Sequence, residues 1–420
     1  MSRIVFHIDV NCAFLSWSAA HRCMNLGEAI DLREIPSIVG GDQESRHGIV
    51  LAKSIPAKKY NIQTGEPIVD ARRKCPNLVI IPADYGLYVK ASKAFINKLH
   101  EYCDDVIQYS IDEAWCNFEG YDSLYGKHQM IAVAYELKEE IKREFGFTVN
   151  IGISTNFLLA KMAGDFKKPD KMHTLFPNEI EEKMWPLPVS DLFYVGPATT
   201  KKLYALGITT IGELAKADPL LIRTRLKKMG EIVQGYANGR DLQPFMFQPA
   251  ANKGYGNSLT APRDVTTMDY ACLLLLSLCE TVGARIRSDE VKIRVVAVHI
   301  TTYDFQYSSS QLQLSSPTDV TEEIYQAARQ VLNRHWDKIT PIRQLGVHTS
   351  KVETDGARQY NLFDLYRYDR LEIVNRMIDD IRERFGEDSV QRASFLQGNV
   401  DSMAGGLDRE RRGAFIRPSC

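Results

Sequence analysis

Apolar and polar positions divide the chain into successive blocks of different period. In the first block, short apolar runs alternate with stretches of helical period. Ile4-Val-Phe-His-Ile-Asp-Val10 predicts a strand, as do Ile35–Gly40, Ile49–Lys53 and Leu78–Pro82. From Tyr85 to Tyr102 the residues Leu87, Ala91, Ala94, Phe95 and Leu99 form one stripe, the mark of an amphipathic helix. Val106–Tyr109 and Ala114–Phe118 flank Ser110-Ile-Asp-Glu113 and predict an antiparallel pair. Ile131–Phe145 predicts a second helix, Thr148–Ser154 a strand, and Asn156–Ala163 the start of a third helix. The expected result is a central sheet with helices on one face, and an inserted block between about Asn25 and Ile80.

A helical block follows, roughly Glu179 to Gln243, then a linker to Lys253 that carries Pro244 and Pro249. Beyond it the pattern predicts strand (Ser258–Ala261), helix (Met268–Arg287), strand (Lys292–Thr302), strand (Phe305–Leu314), helix (Val320–His335) and strand (Leu345–Lys351). That βαββαβ order closes one sheet with two helices on one face. In Lys292-Ile-Arg-Val295 the alternation predicts Ile293 and Val295 buried on the helices, with Lys292 and Arg294 turned outward. A last helix is expected over Leu371–Phe385, before a Gly- and Arg-rich tail. The fold class is α+β and multidomain.

Composition adds bounds. The 420 residues, 44% hydrophobic and 25% charged, suffice for about two to four domains with real cores. A formal net charge of -1 does not advertise a polyanion partner. Locally the balance differs: between Asp191 and Lys253, nine basic residues face five acidic ones. The longest apolar stretch, Ala271–Cys279, is far short of the ~20 residues of a membrane span, so no membrane association is expected. No secretory signal is expected at the N-terminus. The eight cysteines include no C-x-x-C, and the histidines offer no zinc spacing, which fits free thiols in a reducing cytoplasm.

Candidate chemistry lies at Asp9, which ends the first strand, and at Asp112 and Glu113, in the turn between two later ones. Neighbouring residues on a strand point to opposite faces, so a turn or bulge must aim both members of the pair at one place. Three acids gathered there repel one another unless cations neutralise them. Two hard divalent ions do so and are suited to phosphoryl transfer. Charged strand-end turns are also common without any catalytic role.

The surrounding residues sharpen this. Asp9-Val-Asn-Cys-Ala-Phe14, Tyr109-Ser-Ile-Asp-Glu-Ala114, Gly152-Ile-Ser-Thr-Asn-Phe-Leu-Leu-Ala-Lys161 and Lys167-Lys-Pro169 resemble the motifs of Y-family translesion DNA polymerases. The resemblance continues through Val195-Gly-Pro197, Leu206-Gly-Ile-Thr-Thr210 and Gly256-Asn-Ser-Leu-Thr260. The Asp-Val-Asn opening and Gly65-Glu-Pro67 look more like the bacterial UmuC-like branch than the DinB-like one. The resemblance implies a right-hand-like polymerase: palm (1–24 and 81–178), fingers (25–80), thumb with a helix-hairpin-helix (179–243), linker (244–253), little finger (254–352) and C-terminal tail (353–420).

It also implies roles. Asp9, Asp112, Glu113 and the Val10 carbonyl would hold two Mg²⁺ ions. Phe14 would be the steric gate against ribonucleotides, and Lys58 and Lys168 would bind the triphosphate. Lys161 is ambiguous, since it also suits a structural place. Primer-template DNA would be gripped by Gly196, Lys201 and Lys202 in the thumb, and by Arg263, Arg285, Arg287, Lys292 and Arg294 in the little finger. Gln359-Tyr-Asn-Leu-Phe363 looks like a sliding-clamp peptide anchored by Gln359, Leu362 and Phe363. Accessory subunits and an SOS-type response in a bacterial cytoplasm go with the UmuC-like character.

Three departures stand out: Ile55 where the DinB-like branch has a Tyr, Phe157 where a Lys is common, and Pro197-Ala198 where a second Gly is usual. Proline removes a backbone donor, which predicts an altered phosphate grip. The implied activity is template-directed, low-fidelity DNA synthesis. Alternatives are a nucleotide cyclase on a similar sheet, a catalytically weak DNA-binding scaffold, or an accessory-dependent subunit.

Overall fold

The computed structural model describes residues 3–41, 48–120, 127–241, 251–354, 365–396 and 400–403. The chain forms two compact units, the first built mainly from residues 1–41 and 49–249, the second mainly from residues 250–409.

The first unit runs β1 (Val5–Val10), α1 (Ala13–Asn25), β2 (Ser37–Gly40), β3 (Val50–Lys53), α2 (Ile55–Lys58), α3 (Ile68–Lys74), β4 (Val79–Pro82), α4 (Tyr85–His100), β5 (Val106–Gln108), β6 (Glu113–Asn117), α5 (Lys127–Phe145), β7 (Val149–Ser154), α6 (Phe157–Asp165) and β8 (Met172–Thr174). Helices α7 (Pro197–Tyr204), α8 (Ile211–Lys216), α9 (Pro219–Leu226) and α10 (Lys228–Ala237) complete it. The main sheet has the order β5-β6-β1-β7-β8, with β1 antiparallel to both neighbours. A separate sheet, β3-β2-β4, has its own core of Ile38, Val50, Ala57, Ile62, Ile68 and Ala71.

Strand β1 is central and buried on both sides. Phe6, Ile8 and Val10 pack with Leu15 and Trp17 of α1, Phe95 and Leu99 of α4, and Leu137 and Ile141 of α5. Val5 points the other way, to Trp115 of β6 and to Phe157 and Ala160 of α6. Helices therefore cover both faces, not one. A near-continuous apolar strand is what two-sided burial demands. Helix α6 lies close enough to touch β7 backbone to backbone: a Cβ on Gly152 would stand 2.0 Å from the Ala160 carbonyl oxygen. The core of the helical block, with Leu203, Ile211, Ile222 and Tyr236, also takes in Leu158, Leu159 and Met162 of α6.

The second unit runs β9 (Gly254–Val265), α11 (Met268–Ser288), β10 (Lys292–Thr302), β11 (Tyr307–Thr318), α12 (Thr321–His335), β12 (Ile342–Glu353) and α13 (Leu365–Phe385). Its antiparallel sheet has the order β11-β10-β12-β9. The apolar run Ala271–Cys279 is a buried stretch of α11. Over Lys292–Val295 the burial alternates as expected, with Ile293 and Val295 buried, but Val296 is buried next to Val295 and the pattern restarts from there. The β10–β11 register shifts between Ile293 and Val295, and Lys351 opposite adopts φ 54. Across this irregularity Ile293, Val296, Val298 and Ile300 join the main cluster of the unit, while Val295 is buried outside it. Helix α13 begins earlier than Leu371 and is bound to the unit by buried ion pairs, Arg287 with Asp379 at 2.5 Å and Arg382 with Glu280 at 2.8 Å.

Candidate active site

Register brings the acids together. Asp9, near the end of β1, pairs with Glu113 at the start of β6, and the Val10 N–H donates to the Asp112 carbonyl at 2.9 Å. The Ser110 hydroxyl donates to the Asp112 carboxylate at 2.5 Å. Burial pushes the Asp112 carboxyl upward and the neighbouring charges of Asp9 and Glu113 add to this, with Ser110 opposing. Glu113 behaves differently. Burial raises it, yet the His7 hydrogen bond at 3.0 Å and the Lys161 ammonium at 2.6 Å outweigh burial and pull it down to about 2. Lys168 bridges Asp9 and Asp165. Burial lowers its ammonium, but those two carboxylates outweigh burial and raise it.

The three acids are neighbours but are held differently. A cleft of about 930 Å³ is lined by Asp9, Val10, Phe14, Lys58, Asp112 and Lys168, among others, but not by Glu113. Among the described residues no group of three or more His, Cys, Asp or Glu side chains is arranged to hold a metal ion. The repulsion that the sequence assigned to cations is relieved in this chain by two lysines. The cleft still fits a hard divalent ion. It offers two carboxylates, Asp9 and Asp112, and the Val10 backbone, the oxygen donors such an ion takes.

Phe14 is half-buried on the cleft wall. Its ring stacks on Tyr88 at 4.4 Å and 6°, and Tyr88 is itself buried with its hydroxyl 3.1 Å from Ser18. Ile55 and Lys58, on the short helix α2, are exposed and reach the same cleft. The Ser54 hydroxyl caps that helix by accepting the Ala57 N–H. Phe157 is nowhere near the cleft lining. It is buried with Trp115 edge-on at 5.8 Å and the Arg3 guanidinium 4.3 Å from its ring centroid, so this departure is a core residue. Sequence reasoning missed Lys53, which lines the cleft, and His7, which binds Glu113. The signal for His7 was its place two residues before Asp9, on the same face of β1.

The impB/mucB/samB family model matches residues 8–165, the family's C-terminal domain matches 252–362, and its HHH motif matches 177–208. DNA polymerase IV of Clostridium acetobutylicum is 42% identical over 94% of this chain and 99% of its own length. DNA polymerase IV of Acetivibrio thermocellus is 39% identical over 94% of this chain and 98% of its own. The chain belongs to the Y-family of DNA polymerases. Its fold matches that of a solved Y-family DNA polymerase chimera, Dbh-Dpo4(243-245)-Dbh, with TM-score 0.68 at 20% identity, over 83% of this chain and 99% of the other. These relatives lend no support to a closer tie with the UmuC-like branch.

In this Y-family chain, Gly196 is the N-cap of α7 and Pro197 its first residue. An N1 amide has no partner inside the helix, so Pro197 removes no intrahelical bond and presets the first turn. Lys201 and Lys202 of the same helix are exposed. In the second unit the five basic residues separate. Arg263 is exposed, with its guanidinium 5.6 Å from the Tyr270 ring centroid. Arg285 donates to the Gly256 carbonyl at 3.3 Å. Arg287 contradicts its expected place on a DNA-facing surface: its side chain is 5% exposed, paired with Asp379 and bonded to the Asp319 carbonyl at 2.8 Å. Arg294 is paired with Glu353, and the Lys292 ammonium lies 5.5 Å from the Tyr368 ring centroid. Gln359, Leu362 and Phe363 lie outside the described residues. Among those described, no helix is long and apolar enough to cross a membrane.

Proposed function

We propose that the cleft is the nucleotidyl-transfer site of a translesion DNA polymerase, where a primer 3′-hydroxyl attacks the α-phosphorus of a dNTP and pyrophosphate leaves. One observation carries this: Asp9 and Asp112 open on the same cleft as the aromatic wall of Phe14 and the ammonium groups of Lys58 and Lys168. Asp9, Asp112 and the Val10 carbonyl would hold two Mg²⁺ ions, with Glu113 completing the set. When bound, the ions would activate the hydroxyl and offset charge on the leaving group. Lys58 and Lys168 act as point charges for the triphosphate. An incoming triphosphate competes with Asp9 and Asp165 for Lys168. Phe14, braced by Tyr88, would lie under the sugar and clash with a ribose 2′-hydroxyl.

The main sheet with its helices serves as palm, the β3-β2-β4 block as fingers, and α7–α10 as thumb. The start of α7 and its exposed Lys201 and Lys202 would hold a DNA phosphate without reading sequence. Of the five basic residues considered in the second unit, Arg263 is the exposed one and is proposed for backbone contact, which predicts salt-sensitive binding. Gln359–Phe363, between the end of β12 and the start of α13, is proposed as the sliding-clamp peptide. A low-fidelity role in damage bypass, with the SOS-type setting and bacterial cytoplasm, follows from the family. Primer extension with the purified chain, Mg²⁺ and dNTPs tests the reading. Templated extension by wild type and loss in Asp9→Asn are expected; an inert wild type that still binds DNA refutes it.

A further inference from the structure

Glu113 is held by His7 and by Lys161, to which the cleft assignments give no role. Its Oε2 receives both the Lys161 ammonium at 2.6 Å and the His7 Nε2–H at 3.0 Å. Among the described residues Oε1 takes no such partner. His7 has no solvent exposure, and among the described residues its other nitrogen, Nδ1, is buried without a hydrogen-bond partner. The ring is fixed from two sides. It meets Trp115 edge-on at 5.2 Å, and a Cβ on Gly164 would come within 3.1 Å of Nδ1. Lys161 is fixed as well. Its ammonium sits 5.6 Å from the Tyr109 ring centroid and 5.4 Å from that of Phe193, with its side chain 11% exposed.

This arrangement is costly unless it does something. A buried histidine and a nearly buried lysine are spent on one oxygen of one acid, and neither lines the cleft. Both come from elements with rigid backbones: His7 from the centre of β1, Lys161 from the helix that touches β7 at Gly152. Asp9 and Glu113 are register partners, so their side chains leave the sheet on the same face. A carboxylate pinned through Oε2 has its other oxygen set in one direction relative to Asp9.

Resting on the polymerase reading above, we infer that His7 and Lys161 are positioning residues for Glu113. They hold it through Oε2 so that Oε1 is presented to the reacting end. Neither residue touches substrate, and both act only through Glu113. Freeing the carboxylate should reduce turnover without weakening nucleotide binding, because Lys58 and Lys168 are untouched. The Lys161 charge has a second, opposite effect. Removing a cation beside the acids strengthens their pull on a divalent ion.

The test uses the full chain in two assays: single-nucleotide extension for kcat and the dNTP KM, and Mn²⁺ binding to the protein alone by electron paramagnetic resonance. Wild type and Asp112→Asn are run beside it. If wild type fails to extend, the polymerase reading itself fails; if wild type extends and the variants below behave like it, only this inference fails. Lys161→Met should lower kcat on the order of 10- to 100-fold, leave KM within about twofold, and bind Mn²⁺ at least as tightly as wild type. His7→Phe keeps the ring and loses the donor; His7→Gln keeps a donor. His7→Phe should lose about fivefold or more of kcat relative to His7→Gln. The inference is overturned by unchanged kcat in Lys161→Met, by weaker Mn²⁺ binding there, or by equal losses in the two His7 variants. If Lys161→Met does not fold, the His7 pair decides alone.

Discussion

Glu280 on α11 holds the end of the described chain in place. Its Oε2 accepts Arg382 of α13 at 2.8 Å and its Oε1 accepts Arg392 at 2.6 Å. The Glu280 and Arg382 side chains are 5% and 6% exposed. Breaking a buried pair from one side costs about 3–5 kcal/mol, because the remaining charge is stranded. Two features reduce that here. Arg382 keeps bonds to the Val390 carbonyl at 3.1 and 2.9 Å, and Arg392, 34% exposed, is rescued by water. Glu280→Gln should therefore destabilise the attachment of α13 by about 2–4 kcal/mol. If α13 opens as a local unit, that is a loss of roughly 30- to 900-fold in amide protection. Hydrogen exchange read along Leu371–Phe385 measures it. A change below about threefold would show that apolar packing, not the ion pairs, holds the helix. The family's C-terminal domain model ends at residue 362, so α13 lies beyond it and this prediction tests whether the segment is part of the unit.

Phe14→Ala should cut discrimination against ribonucleotides by about tenfold or more, measured as the ratio of kcat/KM for dNTP and rNTP; unchanged discrimination would remove the gate assignment. Among the described residues the buried Oδ1 of Asp241 has no partner, and burial pushes its carboxyl up to about 6, with the Arg3 charge and a Leu158 backbone hydrogen bond opposing. A raised carboxylate penalises folding once ionised, so the penalty is absent below pH ~4 and complete above pH ~6. Discounted for its partial exposure, Asp241→Asn should stabilise the chain by about 1–2 kcal/mol at pH 7.5 and by little near pH 4 in urea titrations. An equal gain at both pH values would contradict the linkage. Gly152→Ala drives a Cβ into the Ala160 carbonyl of α6 and should cost about 3 kcal/mol or more, seen as a lowered melting temperature.

Elements were legible where a run had one clear period. Strand β1, the strands around Ser110–Glu113 and the βαββαβ order were read from apolar spacing alone. Two-sided burial was not, because a short apolar run does not say how many layers cover it; the approach of α6 to β7 depends on Gly152 and Gly164 meeting across the sheet. The register shift between β10 and β11 was hidden, since Ile293-Arg-Val-Val296 contains apolar residues at both parities. Asp9 and Asp112 were legible through their motifs, and so was the aromatic at Phe14. The turning of Glu113 toward His7 and Lys161 was not, because it is set by residues 106 and 48 positions away that meet only through the sheet and α6. Arg287 looked like surface because arginine usually is; its partner Asp379 lies on a helix 92 residues later.

The central claim is that Asp112 belongs to a nucleotidyl-transfer centre. Asp112→Asn keeps shape and the Ser110 contact while removing one charge from the cleft. Primer extension by this variant, set beside its DNA affinity, is the most direct measurement. Extension should fall on the order of 10²- to 10³-fold or more with DNA binding unchanged. Extension at the wild-type rate would contradict this claim.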